Sequence, residues 1–244
     1  HKVLSAYVMI GYGIRGSETY KTVDGGQSWD SILVANEIYW GGYHFVSDFV
    51  DGQTGYVLNA EADSGLVSCS TNIIKTDNGG QSWDTVFPNI LSVSNFSNTG
   101  IVSFFNKDNG VVTLTDTTYD VILYSTSDGA QTWQSFNAGP YVSWAKQVSS
   151  DVLYYLNMTP SSNTASSLFR SSDSGISWDT LSVPLKDSTE YLSSVDFINA
   201  DEGYLVTLKW QSLTNNYDTY IFSTTDGGQN WMPEDTVSSY NGGY

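Results

Sequence analysis

Residues that carry covalent or metal chemistry are scarce in this chain. Cys69 is the only cysteine among 244 residues, so no internal disulfide can form and cysteine usage says nothing about the redox compartment. His1 and His44 are the only histidines. Without a His/Cys cluster at metal spacing, zinc coordination and a Ser-His-Asp triad lack their parts, and no metal or cofactor is predicted. Arginine is equally rare, with Arg15 and Arg170 alone. No apolar run approaches the roughly 20 residues of a spanning helix, so no membrane insertion by a helix is expected. The chain also starts at His1 without an initiator methionine or a signal-peptide pattern, which suggests a processed product or an excised fragment.

Positive charge is the largest deficit. Nine Lys and Arg stand against 26 Asp and Glu, a formal charge of −17 spread along the chain without an acidic tail. Such a field repels phosphate backbones and anionic lipid, so nucleic acid and membrane surfaces are not expected partners. The glycine-rich stretch IGYGIRG (10–16) has neither a following helix nor the lysine of a phosphate loop. With 40% hydrophobic residues the chain is long enough to bury a substantial core.

What is abundant is repetition. TVDGGQSW ends at Trp29, TDNGGQSW at Trp83, TSDGAQTW at Trp133, SSDSGISW at Trp178 and TTDGGQNW at Trp231, with separations of 54, 50, 45 and 53 residues. Near-constant spacing of five copies marks a repeat protein. The same strand-sized pieces recur inside each period. In the second unit they are HFVSDFVD, TGYVLNA, TNIIKTD and, after the octapeptide, WDTVFP; in the fifth, LSSVDFIN, EGYLVTLKW, TYIFSTTD and NWMPEDTV. Each is rich in β-branched and aromatic residues and bounded by Gly, Asn or Asp, and no segment shows helical periodicity. Four antiparallel strands repeated every 40 to 50 residues or so predict an all-β chain built as a β-propeller. One domain over 1–244 is expected, with blades near 1–35, 36–88, 89–137, 138–184 and 185–240. Unit one starts abruptly and lacks a first strand. The blades therefore form either a closed five-bladed ring or part of a larger propeller.

Inside the octapeptide, Asp24, Asn78, Asp128, Asp173 and Asp226 fall at a tight turn between third and fourth strands, where a short side chain accepts backbone N–H groups. The following glycines supply positive φ, with Ala130 as the exception in the third copy. Trp29, Trp83, Trp133, Trp178 and Trp231 then open the outer strand and can bury a ring between sheets. These octapeptides resemble Asp-boxes, also called BNR repeats, and the resemblance spans essentially the whole chain. It implies a propeller in which the box is a structural turn at the blade periphery, away from the ligand face. Asp-box propellers include sialidases, xyloglucan-cleaving glycosidases, sortilin-type receptors and a photosystem assembly factor, so the fold does not settle the function.

Function is expected on the opposite loops. The tryptophans outside the boxes, Trp40, Trp144 and Trp210, fall there with Tyr43, Tyr141, Tyr191 and Tyr217. Rings interleaved with Asn, Ser and Asp suit either glycan or protein ligands, and Trp40, Tyr43, Trp144, Trp210 and Tyr217 are the candidate binding residues. The resemblance implies an arginine triad for sialidases, which two arginines cannot supply. A hydrolase of neutral glycans needs two carboxylates across a cleft, for which Glu61, Asp63, Asp116, Asp120 and Glu190 are available without an obvious pair. The expectation is a non-enzymatic, secreted or cell-surface module recognising protein or glycan. A secreted glycoside hydrolase and a structural module of an adhesin or filament are the alternatives.

Overall fold

The computed structural model describes residues 11–15, 18–34, 47–62, 68–93, 100–116, 118, 120–157, 166–211 and 216–238. Among them all regular structure is β, in five sheets that follow the chain order. The first sheet holds β1 (Gly11–Arg15), β2 (Glu18–Thr22) and β3 (Asp30–Val34). In the second are β4 (Ser47–Phe49), β5 (Gly55–Ala62), β6 (Ser68–Thr76) and β7 (Asp84–Val93). The third comprises β8 (Val102–Phe104), β9 (Gly110–Thr115), β10 (Val121–Thr126) and β11 (Gln134–Asn137). The fourth comprises β12 (Val142–Gln147), β13 (Leu153–Asn157), β14 (Ser167–Ser171) and β15 (Asp179–Leu181). The fifth closes with β16 (Glu190–Phe197), β17 (Gly203–Gln211), β18 (Asn216–Thr224) and β19 (Met232–Ser238).

Every described pairing is antiparallel, and four of the five sheets have four strands. The three strands of the first sheet match the second to fourth strands of the others, since its box follows β2 as the later boxes follow β6, β10, β14 and β18. Some segments expected as loops belong to strands. β7 continues through Val93, past the expected blade end at 88, because its ladder skips Pro88 and Asn89 and resumes at Ile90 opposite Thr71. A proline has no N–H to give the ladder, and the bulge absorbs it. Trp210 and Tyr217 likewise face each other as a cross-strand pair of β17 and β18 instead of lying in a loop. Trp144 lies within β12.

Hydrophobic burial lies between sheets. Tyr56, Leu58, Ile73 and Phe87 of the second sheet pack on Val102, Phe104, Val112 and Leu114 of the third. Val111 and Leu123 of the third meet Ala145, Leu153 and Tyr155 of the fourth. Tyr154, Leu156, Leu168 and Leu181 of the fourth meet Leu192, Phe197, Leu205 and Phe222 of the fifth. Alternation along each strand therefore sends one row of side chains to the preceding sheet and the next row to the following one. The short first strands lie side by side, β8 against both β4 and β12, as the inner strands of successive blades must.

Aromatic stacking fixes the inner part of these interfaces. Tyr56 lies flat on Phe104 of the next blade at 3.5 Å between centroids, and Tyr154 on Phe197 at 3.7 Å. Each inner-strand phenyl covers a glycine of its own blade. A Cβ on Gly55, Gly110 or Gly203 would come within 2.2 to 2.5 Å of Phe49, Phe104 or Phe197. The Tyr56 hydroxyl then donates to Lys107 O (2.6 Å) and that of Tyr154 to Ala200 O (2.9 Å), both in the first turn of the following blade.

Candidate functional site

The five boxes come out as one recurring turn. In the first, the Thr22 hydroxyl donates to Asp24 Oδ1 (2.8 Å) and accepts Gly26 N–H (2.9 Å). Asp24 Oδ1 accepts the N–H groups of Gln27 and Ser28, both at 2.9 Å, and Oδ2 accepts the Ser28 hydroxyl at 2.7 Å. The Asp128, Asp173 and Asp226 boxes repeat the scheme with Thr132, Ser177 and Asn230 in the place of Ser28. Donors converging on an ionised carboxylate favour the charged form. The Ser28 N–H and hydroxyl accordingly bring Asp24 down to about 2, those of Ser177 bring Asp173 to about 2, and Asn230 brings Asp226 to about 2. Asn78 keeps the geometry without the charge, its amide donating to the Ser82 hydroxyl at 2.8 Å.

Two consecutive left-handed residues make the turn, and Ala130 (φ 73°) and Ser174 (φ 62°) adopt that region without being glycine. In the second to fifth boxes the first of the pair reaches back to its own blade's inner turn, as in Gly79 N–H to Gln53 O (2.7 Å) and Gly227 N–H to Asp201 O (2.8 Å). The box tryptophans bridge to the preceding blade. Trp83 Nε1 donates to Ile32 O and Trp133 Nε1 to Val86 O, each at 3.3 Å. Trp178 packs on Phe136 of the third blade at 5.6 Å, while Trp231 meets Phe197 of its own blade at 6.0 Å and lies against the core shared by the fourth and fifth blades. Trp29 differs in exposure: it is 46% exposed, and its Nε1 bonds within its own turn to Gly26 O, as the part-buried Trp178 bonds Gly175 O.

The residue just before the first, third and fourth boxes was not singled out by its role in the sequence, yet it latches one blade to the next. Lys21 Nζ donates to Gly52 O (3.0 Å) and Gly79 O (3.3 Å) of the second blade. Ser125 donates to Ser174 O at 2.7 Å, and Arg170 Nε to the Tyr154 hydroxyl that itself bonds the fifth blade. The changing side chain, Lys, Ser or Arg, hides the common role; only its fixed place before the box Thr or Ser marks it.

At the other end, Trp210 and Tyr217 are 40% and 39% exposed, with centroids 4.8 Å apart, and Tyr191 stands edge-on to Tyr217 at 6.1 Å. Burial and a hydrogen bond with Tyr217 push the Tyr191 phenol up. On the reverse face of the same hairpin, Gln211 bonds Asp218 at 2.6 Å and Lys209 pairs with Asp187. The Lys209 ammonium holds the Asp187 carboxyl well below the usual range. Trp144 does not join this cluster. It is half-buried, 6.5 Å from Phe197, and packs on the core between the fourth and fifth blades. Trp40 and Tyr43 lie outside the described residues. Tyr141, by contrast, is 50% exposed on a left-handed backbone (φ 70°), a costly state for a bulky residue. The Asn157 amide braces its loop at Pro140 O (2.7 Å).

The candidate carboxylates are engaged locally. Asp116 Oδ1 accepts the Thr118 hydroxyl and the N–H groups of Thr118 and Asp120, which lowers its pKa. Asp120 accepts the Asn137 amide at 3.0 Å. Glu190, fully buried, is bound by the Thr207 hydroxyl and Lys186 N–H. Glu61 and Asp63 have no described side chains. Among the described carboxylates, Asp48 is the one pushed upward, by burial, although it accepts Phe104 N–H at 2.6 Å. It sits on an inner strand and ties β4 to the edge of β8, much as Lys146 of β12 ties to Asp196 of β16 at 2.6 Å. No group of three or more metal-binding side chains occurs among the described residues.

No family model matches the chain, and no curated protein matches it. Solved structures do. A GH74 enzyme of Niastella koreensis superposes with a TM-score of 0.59 at 14% identity, over 89% of this chain and 34% of that one. YCF48 bound to D1 peptide gives 0.52 at 14% identity, over 93% and 79%. The GH74 xyloglucanase of Xanthomonas campestris gives 0.53 at 15% identity, over 88% and 34%. The chain thus spans about a third of the length of the GH74 enzymes it resembles. The fold is that of the Asp-box propellers, and at these identities the likeness speaks for fold alone.

Proposed function

We propose that the chain is a non-enzymatic recognition module of the cell exterior, binding a glycan through rings at the loop end of its blades. The observation that carries this reading is the trio of the exposed Trp210 and Tyr217, a cross-strand pair of β17 and β18, with the part-buried Tyr191 of β16 edge-on beside them. Rings of this size take the C–H face of a sugar while nearby amides and carboxylates meet its hydroxyls. The net charge of −17 favours a neutral glycan over an anionic one. Tyr141, strained and exposed in the fourth blade, adds a fourth ring to the same end. The engagement of Asp116 in its own turn, of Asp120 by the Asn137 amide and of the buried Glu190 by the Thr207 hydroxyl supports recognition over hydrolysis. Low lysine and abundant Ser, Thr and Asn support an external location. Exposure of Trp29 supports a row of blades that is open in this chain, as part of a larger propeller, over a closed five-bladed ring.

The test is a glycan array probed with wild type beside Trp210→Ala, Tyr217→Ala and Tyr141→Ala. Binding of neutral glycans that falls at least about tenfold with Trp210→Ala supports the reading. An array without binding removes it, and a polypeptide ligand lost with the same variants moves the site to protein recognition.

A further inference from the structure

The free face of the fifth blade repeats, residue for residue, the surfaces that are covered inside the row. Tyr56 and Tyr154 start the second strand of their blades, are fully buried, and stack on a phenyl of the next blade. Tyr204 holds that place in β17, is 50% exposed, and stacks on no ring among the described residues. Val206 and Ile221, opposite each other in the register, hold the places where Leu58 and Ile73 in the second blade and Leu156 and Leu168 in the fourth are buried. At the latch position Ser223, the counterpart of Ser125, donates to Glu234 of its own sheet instead of to a neighbouring turn.

The periphery departs from the pattern in a way that specifies the occupant. Three or four residues after the box tryptophan, blades one to four present Ile32, Phe87, Phe136 and Leu181, and the next blade's box packs there. The fifth blade presents Glu234 and Asp235. Each carboxylate already accepts one hydrogen bond, Glu234 from the Ser223 hydroxyl and Asp235 from Thr236 N–H, but a box tryptophan docking on them would bury two charges without a counter-charge, whereas a cation would be matched. A second copy is disfavoured, since each carries −17.

We infer that the face bearing Tyr204, Val206 and Ile221 docks one further β-blade, which lays an inner-strand aromatic ring on Tyr204 and sets Lys or Arg, not a box tryptophan, against Glu234 and Asp235. The inference rests on the open row proposed above and is independent of the glycan reading. Trp210 lies six residues along the strand from Tyr204, about 20 Å at strand rise, so the incoming blade covers the box end and leaves the aromatic trio at the mouth.

The experiment places a thiol at Tyr204 (Tyr204→Cys with Cys69→Ser) and measures its alkylation rate in the 244-residue chain and in the intact natural polypeptide. The expected result is fast reaction in the former and at least about tenfold protection in the latter. Glu234→Lys should cut that protection several-fold while the 244-residue chain, which loses only the Ser223 hydroxyl bond, still melts cooperatively within a few degrees of wild type. Val206→Cys is the second position, used if Tyr204→Cys does not fold. Equal reactivity in both proteins overturns the inference. So does protection that grows with concentration, which assigns the face to a second copy, or protection indifferent to Glu234→Lys.

Discussion

Two tryptophans at the same place in the same motif should differ sharply in what they contribute to stability. Trp133 fills the gap between the second and third blades, 5.4 Å from Phe87 and 6.4 Å from Phe104, with its N–H bonded to Val86 O. Truncating a packed tryptophan to alanine costs about 3 to 5 kcal/mol, and since Trp133 is half-buried the lower end, about 3 kcal/mol, applies. Trp29 is 46% exposed and bonded only to its own turn, so its removal should cost about 1 kcal/mol or less by the same scaling. In a chain of this size 1 kcal/mol moves the melting temperature by about 2 to 4 °C. Trp133→Ala is therefore expected to melt about 6 to 12 °C below wild type, and Trp29→Ala within about 4 °C of it. Thermal unfolding followed by far-UV circular dichroism reads both without depending on tryptophan fluorescence. Equal losses would refute the reasoning, because they require Trp29 to be covered as Trp133 is.

Acid should unfold the chain through its boxes. Asp24, Asp173 and Asp226 have folded values of about 2 against 3.8, and Asp128 is lowered too, so their contribution is complete above about pH 4 to 5 and lost as pH falls toward 2. Melting temperatures between pH 2 and 6 should show this, and Asp173→Asn should flatten the slope, following the uncharged Asn78 box. Tyr154→Phe leaves Ala200 O and Arg170 Nε without their shared partner and should cost about 1 to 3 kcal/mol in urea unfolding; Tyr204→Phe should cost nothing measurable. Gly110→Ala drives a methyl to 2.2 Å from the Phe104 ring, and the displaced stack on Tyr56 should cost about 1 to 3 kcal/mol by the same assay.

The box spacing made blade order and the box turn readable, because turn chemistry is local: every box bond to the Asp or Asn side chain spans four residues or fewer. Contacts between blades were not readable in the same way. Trp144 reads as a loop aromatic until β12 turns it toward Phe197, and the Lys21, Ser125 and Arg170 latches share a place but no chemistry. Arg170, which counted only as one of two arginines, is committed to Tyr154. Strand lengths misled as well. The paired ends of β17 and β18 turned an expected loop into a hairpin that presents Trp210 beside Tyr217. Tyr141 was legible as a loop aromatic but its left-handed backbone was not, since the Asn157 brace on its loop comes from another strand.

The division of labour within each blade has a consequence for how such proteins change over generations. The fastener lies within the blade, with Thr76, Asn78, Gly80 and Ser82 satisfying one another, while the neighbour is met by an apolar face and one or two donors. A gene segment encoding one such period is therefore a transferable unit. Duplicated or deleted whole, it carries its own closure and asks of its new neighbour a matching apolar face and a carbonyl in reach.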